Sequence, residues 1–323
     1  DELGYHAVWE VEHHGLREYS HSAAPEIFLA YIAGRTKRIR LGHGVVLLPF
    51  RYNHPLRVAE RIATLDILSH GRVNFGTGKS ASATEIGAFE IDRQRLTEEW
   101  EEALSIIPRM WSEEVFSHRS RFFDIPPTQV VPKPVQKPHP PMFAACAKPD
   151  SVLAVGKLGL GALNFAFGSD DYLQQKVTQY RAAVAAARPQ HRSVNNHFAC
   201  TPATLVLRDD KKACEYGIRG MRFFTESMGR YYTFGDRPQG PLNVPRDFLP
   251  ESELRDAMEL RNQDGSSMSV IVGDPSAARE TVQRFVDIGV DELILVMQMG
   301  TVPHELILES LRTFAEQVMP HFC

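Results

Sequence analysis

The sequence predicts an α/β fold, a (β/α)8 barrel, from three observations. Strand-like and helix-like segments alternate along almost all 323 residues with no signal for a chain reversal. The run IRLGHGVVLL at 39–48 is predominantly apolar, as befits a parallel strand covered on both faces. A third run, AVWE at 7–10, ends in Glu12-His13-His14, and barrels of this kind gather their chemistry at the C-terminal ends of strands.

The elements follow in order. Residues 1–5, DELGY, read as the tail of a helix, so a complete barrel expects a strand and most of a helix upstream of Asp1. After the strand at 7–10, residues 25–35 place Ile27, Phe28, Tyr31 and Ile32 at helical spacing. The strand at 39–48 is stopped by Pro49. A helix at 55–69 presents Leu56, Ala59, Ile62, Ala63 and Leu65 on one face, His70-Gly71 closes it, and 72–76 is the next strand. A long helix spans about 93–111. Seven prolines within 122–141 mark an extended excursion rather than a domain linker. Strands resume at 142–145 and 161–167 around a helix at 149–158, and 198–207 and 292–297 are the last two. Helices at 276–288 and 303–318 complete the pattern. Residues 229–265 carry Gly, Pro and aromatics without periodicity and are long enough for a lid. We read 1–323 as a single domain.

Composition narrows the function classes. A formal charge of −4 and 24% charged residues describe an ordinary globular chain. Without long basic runs, nucleic acid is not the expected partner. No apolar stretch approaches the roughly 20 residues a membrane-spanning helix needs. Cys146, Cys200, Cys214 and Cys323 are widely spaced, with neither CxxC nor zinc spacing, which fits a reducing cytoplasmic setting.

Two constellations bear chemistry. A histidine at a strand end titrates near neutral pH and can exchange a proton with a reacting group. The segment Phe75-Gly76-Thr77-Gly78-Lys79-Ser80 follows a strand, and its glycines, lysine and hydroxyl suit an anion-binding turn as well as a plain tight turn. It is neither a P-loop nor a dinucleotide fingerprint. His43, His54, His118 and His139 show no HxH or HExxH spacing, and no carboxylate is placed to complete a metal site with His13 and His14, so no metal is expected. Cys146 reads as a buried filler rather than a nucleophile. Phe165, Phe167, Phe223, Phe224, Tyr231 and Tyr232 read as core or lid residues, with some available to stack on a planar ligand.

Taken together, AVWEVEHH (7–14), the run 35–79, PPMFAACAKPDSVLAVGKLGLG (140–161) and the C-terminal runs 272–295 and 303–320 resemble the bacterial luciferase-like flavin-dependent monooxygenases. The run 35–79 is the most specific, because strand, proline stop, HP turn, LD-S-GR helix end and GTG turn recur in order. The resemblance implies a TIM-type barrel with a first strand upstream. It implies reduced FMN, often delivered by a separate flavin reductase, which activates O2 as a C4a-hydroperoxide to oxidise a small organic substrate. Some relatives use a deazaflavin instead, and a non-catalytic flavin-binding barrel or subunit is a further alternative.

By the same resemblance His13 is the active-site histidine and His14 supports it. Gly44 and Val45 pack against the isoalloxazine. Lys79 stands where luciferase has an arginine on the FMN phosphate, keeping the charge without the bidentate fork, and Gly78 replaces a cysteine. Ala147 and Lys148 match phosphate contacts, and Ser151 matches a hydroxyl contact. The segment 229–265 would close the pocket, with Phe165, Phe224, Tyr231 and Gln298 setting substrate specificity. Gly15 and the pair Ala147-Lys148 depart from luciferase, which argues against light emission from a long-chain aldehyde. A homodimer using the helices after the second and third strands, including 55–69, is also implied.

Overall fold

Seven parallel strands run side by side in one curled sheet, and the loops after them open on a common cavity. The structure, a computed structural model, describes residues 1–147, 150–166, 168–233, 246–262 and 270–322. In chain order its elements are β1 (Ala7–Glu10), α1 (Pro25–Arg35), β2 (Arg40–His43), β3 (Val46–Leu47), α2 (Pro55–Leu68), β4 (Val73–Gly78), α3 (Ala83–Ala88) and α4 (Leu96–Ser112). Then come β5 (Phe116–Arg119), β6 (Asp124–Thr128), β7 (Met142–Cys146), α5 (Ser151–Lys157), β8 (Gly161–Phe165), α6 (Asp170–Ala186), β9 (Phe198–Thr201), β10 (Thr204–Val206) and α7 (Asp210–Met228). The chain continues through α8 (Glu251–Asn262), β11 (Ile271–Gly273), α9 (Pro275–Ile288), β12 (Glu292–Leu293) and α10 (His304–Gln317).

The sheet order is β1-β2-β4-β7-β8-β9-β12, with β3 extending β2 alongside β4. Every pair in it is parallel, so the C-terminal ends of the strands lie on one side. Among the described residues no ladder joins β12 to β1. Their side chains do meet, because Trp9 Nε1 donates to Glu292 Oε1 at 2.8 Å. Burial alone would push the Glu292 carboxyl up, yet its bonds from His197 and Trp9 hold it below the ordinary value.

The period-2 alternation of the strands divides the core. Phe143, Leu163 and Ala199 point into the sheet's concave interior with Trp9, Val45 and Ile294. Ala144, Cys146, Ala162 and Cys200 point outward and join Val58, Ile62, Leu104, Ile107 and Tyr180 under the helices. Each fully buried Leu, Ile or Phe in that layer contributes about 1.5–3 kcal/mol. Gly42 has no side chain because Trp9 lies on it: a Cβ there would sit 2.3 Å from the indole.

Several sequence expectations are corrected. The run 39–48 is two strands, since pairing lapses at Gly44-Val45, which a cis peptide joins. Gly76-Thr77-Gly78 is no turn but the buried end of β4, and the turn starts at Lys79. The neighbouring strand dictates this, because Cβ atoms at 76 and 78 would meet His43 O at 2.0 Å and Val45 Cγ2 at 2.4 Å. The run 198–207 likewise divides, and β10 pairs with β11 instead of the main sheet. Residues 1–5 are a turn and not a helix end. The hairpin β5-β6 opens the proline-rich excursion. Within 229–265, Gly229–Thr233 is a π-helical turn and α8 is helical, so that segment is not irregular throughout. Residues 234–245 and 263–265 of the expected lid lie outside the described residues, as does Phe167.

Candidate active site

The loop after β1 carries the histidines and is tied down at both ends. His13 N–H donates to Ser22 O at 2.8 Å, Ser22 Oγ donates to Val11 O at 2.7 Å, and Leu16 is buried beneath. Gly15 turns the chain at φ +70°, a value L side chains avoid. His13 therefore projects into the cavity, whose volume is about 1990 Å3.

Glu85, fully buried on α3, organises the histidine. Its Oε1 lies 3.0 Å from His13 Nδ1 and accepts His14 N–H at 2.9 Å, while Oε2 accepts Ser80 Oγ–H at 2.6 Å. Burial alone would raise the Glu85 carboxyl. The hydrogen bonds and charge of His13, with those of Ser80 and the His14 N–H, overcome it and hold Glu85 below its ordinary value. A carboxylate can only accept, so the network assigns the proton of that contact to His13 Nδ1. The Tyr232 hydroxyl, 3.2 Å from the same Nδ1, then accepts or stands aside. His13 Nε2 is the ring nitrogen left to the cavity.

His14 has a different task. It is absent from the cavity wall, lies parallel to Tyr52 and against Phe89, and donates from Nε2 to Glu12 Oε1 at 3.3 Å. That bond is the main reason its imidazolium is favoured and its pKa raised, against desolvation. Glu12 also accepts Leu47 N–H at 2.7 Å and Asn53 Nδ2 at 2.9 Å, and Asn53 in turn accepts from Arg61, which pairs with Glu26. His14 thus anchors the loop to the end of β3. Two carboxylates, Glu85 and Glu12, thus lie beside the two histidines, each meeting one ring nitrogen. No group of three or more His, Cys, Asp or Glu among the described residues is placed to hold a metal ion.

The remaining expected residues fall as follows. Gly44, Val45, Gly78, Lys79, Ala147, Ser151, Phe165, Phe224 and Gln298 all line the cavity. Most of them meet there because β3, β4, β7 and β8 are neighbours and end together, while Phe224 comes from α7 and Gln298 from beyond β12. Lys79 Nζ donates to Thr97 Oγ1 at 3.2 Å and sits over the Trp100 ring. Tyr231 is not on the cavity wall: its hydroxyl donates to Glu18 at 2.6 Å, and Tyr232 takes the facing position. Lys148 lies outside the described residues. Cys146 is buried, and burial pushes its thiol up to about 12, so it is no nucleophile.

Sequence reasoning missed Glu85, Tyr19, Arg93 and Asn164. Tyr19 packs edge-on to His13 and stacks on Phe224, while Arg93 and Asn164 join the cavity wall. Glu85 did have a signal in Ser82-x-x-Glu85, the spacing of a capping box. Ser82 Oγ accepts Glu85 N–H at 3.4 Å as in such a box, but the glutamate side chain leaves the helix for His13.

Residues 1–292 match the family model described as luciferase-like monooxygenase. The chain belongs to the luciferase-like monooxygenase family. Limonene 1,2-monooxygenase of Rhodococcus erythropolis is 26% identical over 327 residues, covering 100% of this chain and 79% of its own. The oxygenase component of a flavin-dependent trigonelline monooxygenase from Acinetobacter baylyi is 32% identical over 153 residues, 47% of this chain and 41% of its own. Matches to several such curated relatives thus span less than half of their length. An F420-dependent glucose-6-phosphate dehydrogenase of Kineococcus radiotolerans is 28% identical over 91% of this chain and 83% of its own. Among solved structures, the monooxygenase RslO1 from Streptomyces bottropensis superposes with a TM-score of 0.80 at 26% identity, covering 100% of this luciferase-like chain and 90% of its own. The relatives of this chain thus include one named as a flavin-dependent monooxygenase component and one named for F420. Among the described residues, no helix is long and apolar enough to cross a membrane.

Proposed function

We propose that the protein is a flavin-dependent monooxygenase that uses reduced FMN and O2 to oxidise a small organic substrate, the flavin arriving from a separate reductase. The observation that carries this reading is the Glu85-held His13 on the wall of a cavity that Lys79, Arg93 and Ser151 also line together with many apolar residues. The residues present fit FMN by their chemistry. Lys79, Arg93 and Ser151 bring two cations and a hydroxyl to the cavity wall, Lys79 just past β4 and Ser151 just past β7, which suits a phosphate. Gly44, Val45, Leu47, Leu163 and Ile294 offer an apolar wall, which suits a flat ring system.

When bound, reduced FMN supplies the electrons that activate O2 for insertion of one oxygen atom into the substrate. The chain's own part is to bind, to orient and to manage a proton. Glu85 holds the His13 ring and keeps the proton on Nδ1, so Nε2 exchanges a proton with the reacting group. Tyr19, Phe224 and Tyr232 cover the histidine and exclude water from it. We also propose one domain, a cytoplasmic setting and a homodimer; only the dimer has support in the structure, from the exposed apolar residues Ile27, Phe28 and Tyr31 of α1, which also edge the cavity.

The test is His13→Ala. It should bind reduced FMN as the wild type does and lose most substrate oxidation per O2 consumed, with hydrogen peroxide released instead. Full coupling in this variant would refute the assignment. Parallel titration with a reduced deazaflavin decides the cofactor, and absence of O2 consumption with reduced FMN would favour a flavin-binding role without catalysis.

A further inference from the structure

One buried charge has no role in the site described so far. Lys176, on α6, keeps only 9% of its surface exposed and forms no ion pair among the described residues. Its contacts are Asn164 Oδ1 at 3.4 Å and the Tyr172 ring, 4.5 Å from the ammonium. A carbonyl oxygen and an aromatic face do not neutralise a unit charge. Holding an uncompensated ammonium away from water is strongly unfavourable, so its retention calls for an anion.

The neighbours say where that anion belongs. Asn164 lines the cavity, and its Nδ2 donates to Phe165 O at 2.6 Å, so its amide is fixed between Lys176 and the backbone. Cys146, which lies on the adjacent strand, is bonded to Ser151 and also feels the charge of Lys176, as does Cys200 on β9. The ammonium therefore sits under the ends of β7, β8 and β9, one side chain behind the cavity wall and close to Ser151. Lys79, just past β4 on the other side of β7, and Arg93 line the same cavity.

We propose that Lys176 is a positioning and charge residue of the anion end of the cavity, with the phosphate of the bound flavin as its counter-ion. It acts through Asn164 rather than by direct contact, making the wall beside Ser151 electropositive. The proposal rests on the flavin reading and adds a residue to it.

The experiment titrates wild type, Lys176→Met and Lys176→Gln anaerobically with reduced FMN and with reduced riboflavin, which lacks the phosphate. The thermal midpoint of each flavin-free protein is recorded alongside. FMN affinity should fall about tenfold in both variants, while riboflavin affinity changes by less than about twofold. The flavin-free Lys176→Met midpoint should not fall, since an apolar side chain of similar length replaces an unpaired buried charge. Equal weakening of both flavins, unchanged FMN affinity, or failure of both variants to fold overturns the proposal. Wild type that binds neither flavin refutes the flavin reading and this inference with it. Wild type that prefers FMN, with both variants keeping that preference, refutes the inference alone.

Discussion

Glu85→Gln isolates the charge that holds His13, because the two side chains have nearly the same shape. The wild-type carboxylate receives three hydrogen bonds, from His13 Nδ1 at 3.0 Å, His14 N at 2.9 Å and Ser80 Oγ at 2.6 Å. Bonds to a charged group are worth about 1.5–3 kcal/mol each, and neutral ones about 0.5–1.5. A glutamine can keep its oxygen toward the two nitrogens but turns an NH2 toward Ser80, so the stability loss should be about 1–3 kcal/mol. Glu85→Ala leaves three donors facing a void and should cost more, about 3–5 kcal/mol. The pH dependence has a definite sign. Glu85's pKa in the folded chain lies below its ordinary 4.5, so its stabilisation is full above that value and is lost as pH falls through the depressed pKa. The wild-type advantage over Glu85→Gln should therefore shrink on acidification and hold at neutral pH. Denaturant unfolding across pH supplies the stability, and product formed per O2 consumed supplies the coupling, expected to drop about tenfold for the loss of one such charged contact. A Glu85→Gln protein within about 0.5 kcal/mol of wild type at pH 7, and fully coupled, would show that the carboxylate does not organise His13.

Three further outcomes test other parts of the structure. Gly78→Ala puts a Cβ 2.4 Å from Val45 Cγ2, so Val45 must move toward the cavity; the melt should fall by the equivalent of about 1–3 kcal/mol and FMN should bind more weakly. His14 has a raised pKa through its bond to Glu12, so that pair stabilises fully below the ordinary 6.5 and less as pH climbs through the raised value. His14→Gln should accordingly flatten the pH dependence of stability above pH 6.5, and an unchanged slope would contradict the pairing. Burial raises the thiols of Cys146 and Cys200 to about 12, so a thiol reagent at mild alkaline pH should label neither until the chain is denatured, as peptide mapping can show.

The alternation of strands and helices was legible because apolar runs and proline stops are local signals, whereas the runs 39–48 and 198–207 each proved to be two strands. The wall of Gly44, Val45, Lys79 and Ser151 came from the resemblance instead, since Gly44 and Val45 lie inside the run read as one strand and Ser151 inside the expected helix. What escaped depends on partners distant in sequence. Gly76-Thr77-Gly78 has the composition of a turn, and only the His43 carbonyl and the Val45 methyl on the neighbouring strand make glycine necessary inside β4. Tyr231 and Tyr232 are adjacent, so which one faces the cavity is a question of helical phase, and the π-helical turn at Gly229–Thr233 shifts that phase. Glu85 stands 72 positions from His13 on a helix of six residues, too short to announce a buried face.

The histidine doublet shows why the local signal found the place and not the roles. Adjacent residues leaving a strand end point different ways, and here each meets its own buried carboxylate. His13 meets Glu85 on α3 and is turned to the cavity, while His14 meets Glu12 and is turned away from it. Glu85 also accepts the His14 N–H, so one carboxylate sets both the ring of the first histidine and the backbone of the second. Glu12 reaches Leu47 N–H at the end of β3, the strand that follows Gly44 and Val45 on the proposed flavin wall. The proton-handling ring and the apolar wall are thereby joined through two acids and a few hydrogen bonds. Neither can shift without straining the other, which is the physical sense in which this site is preorganised.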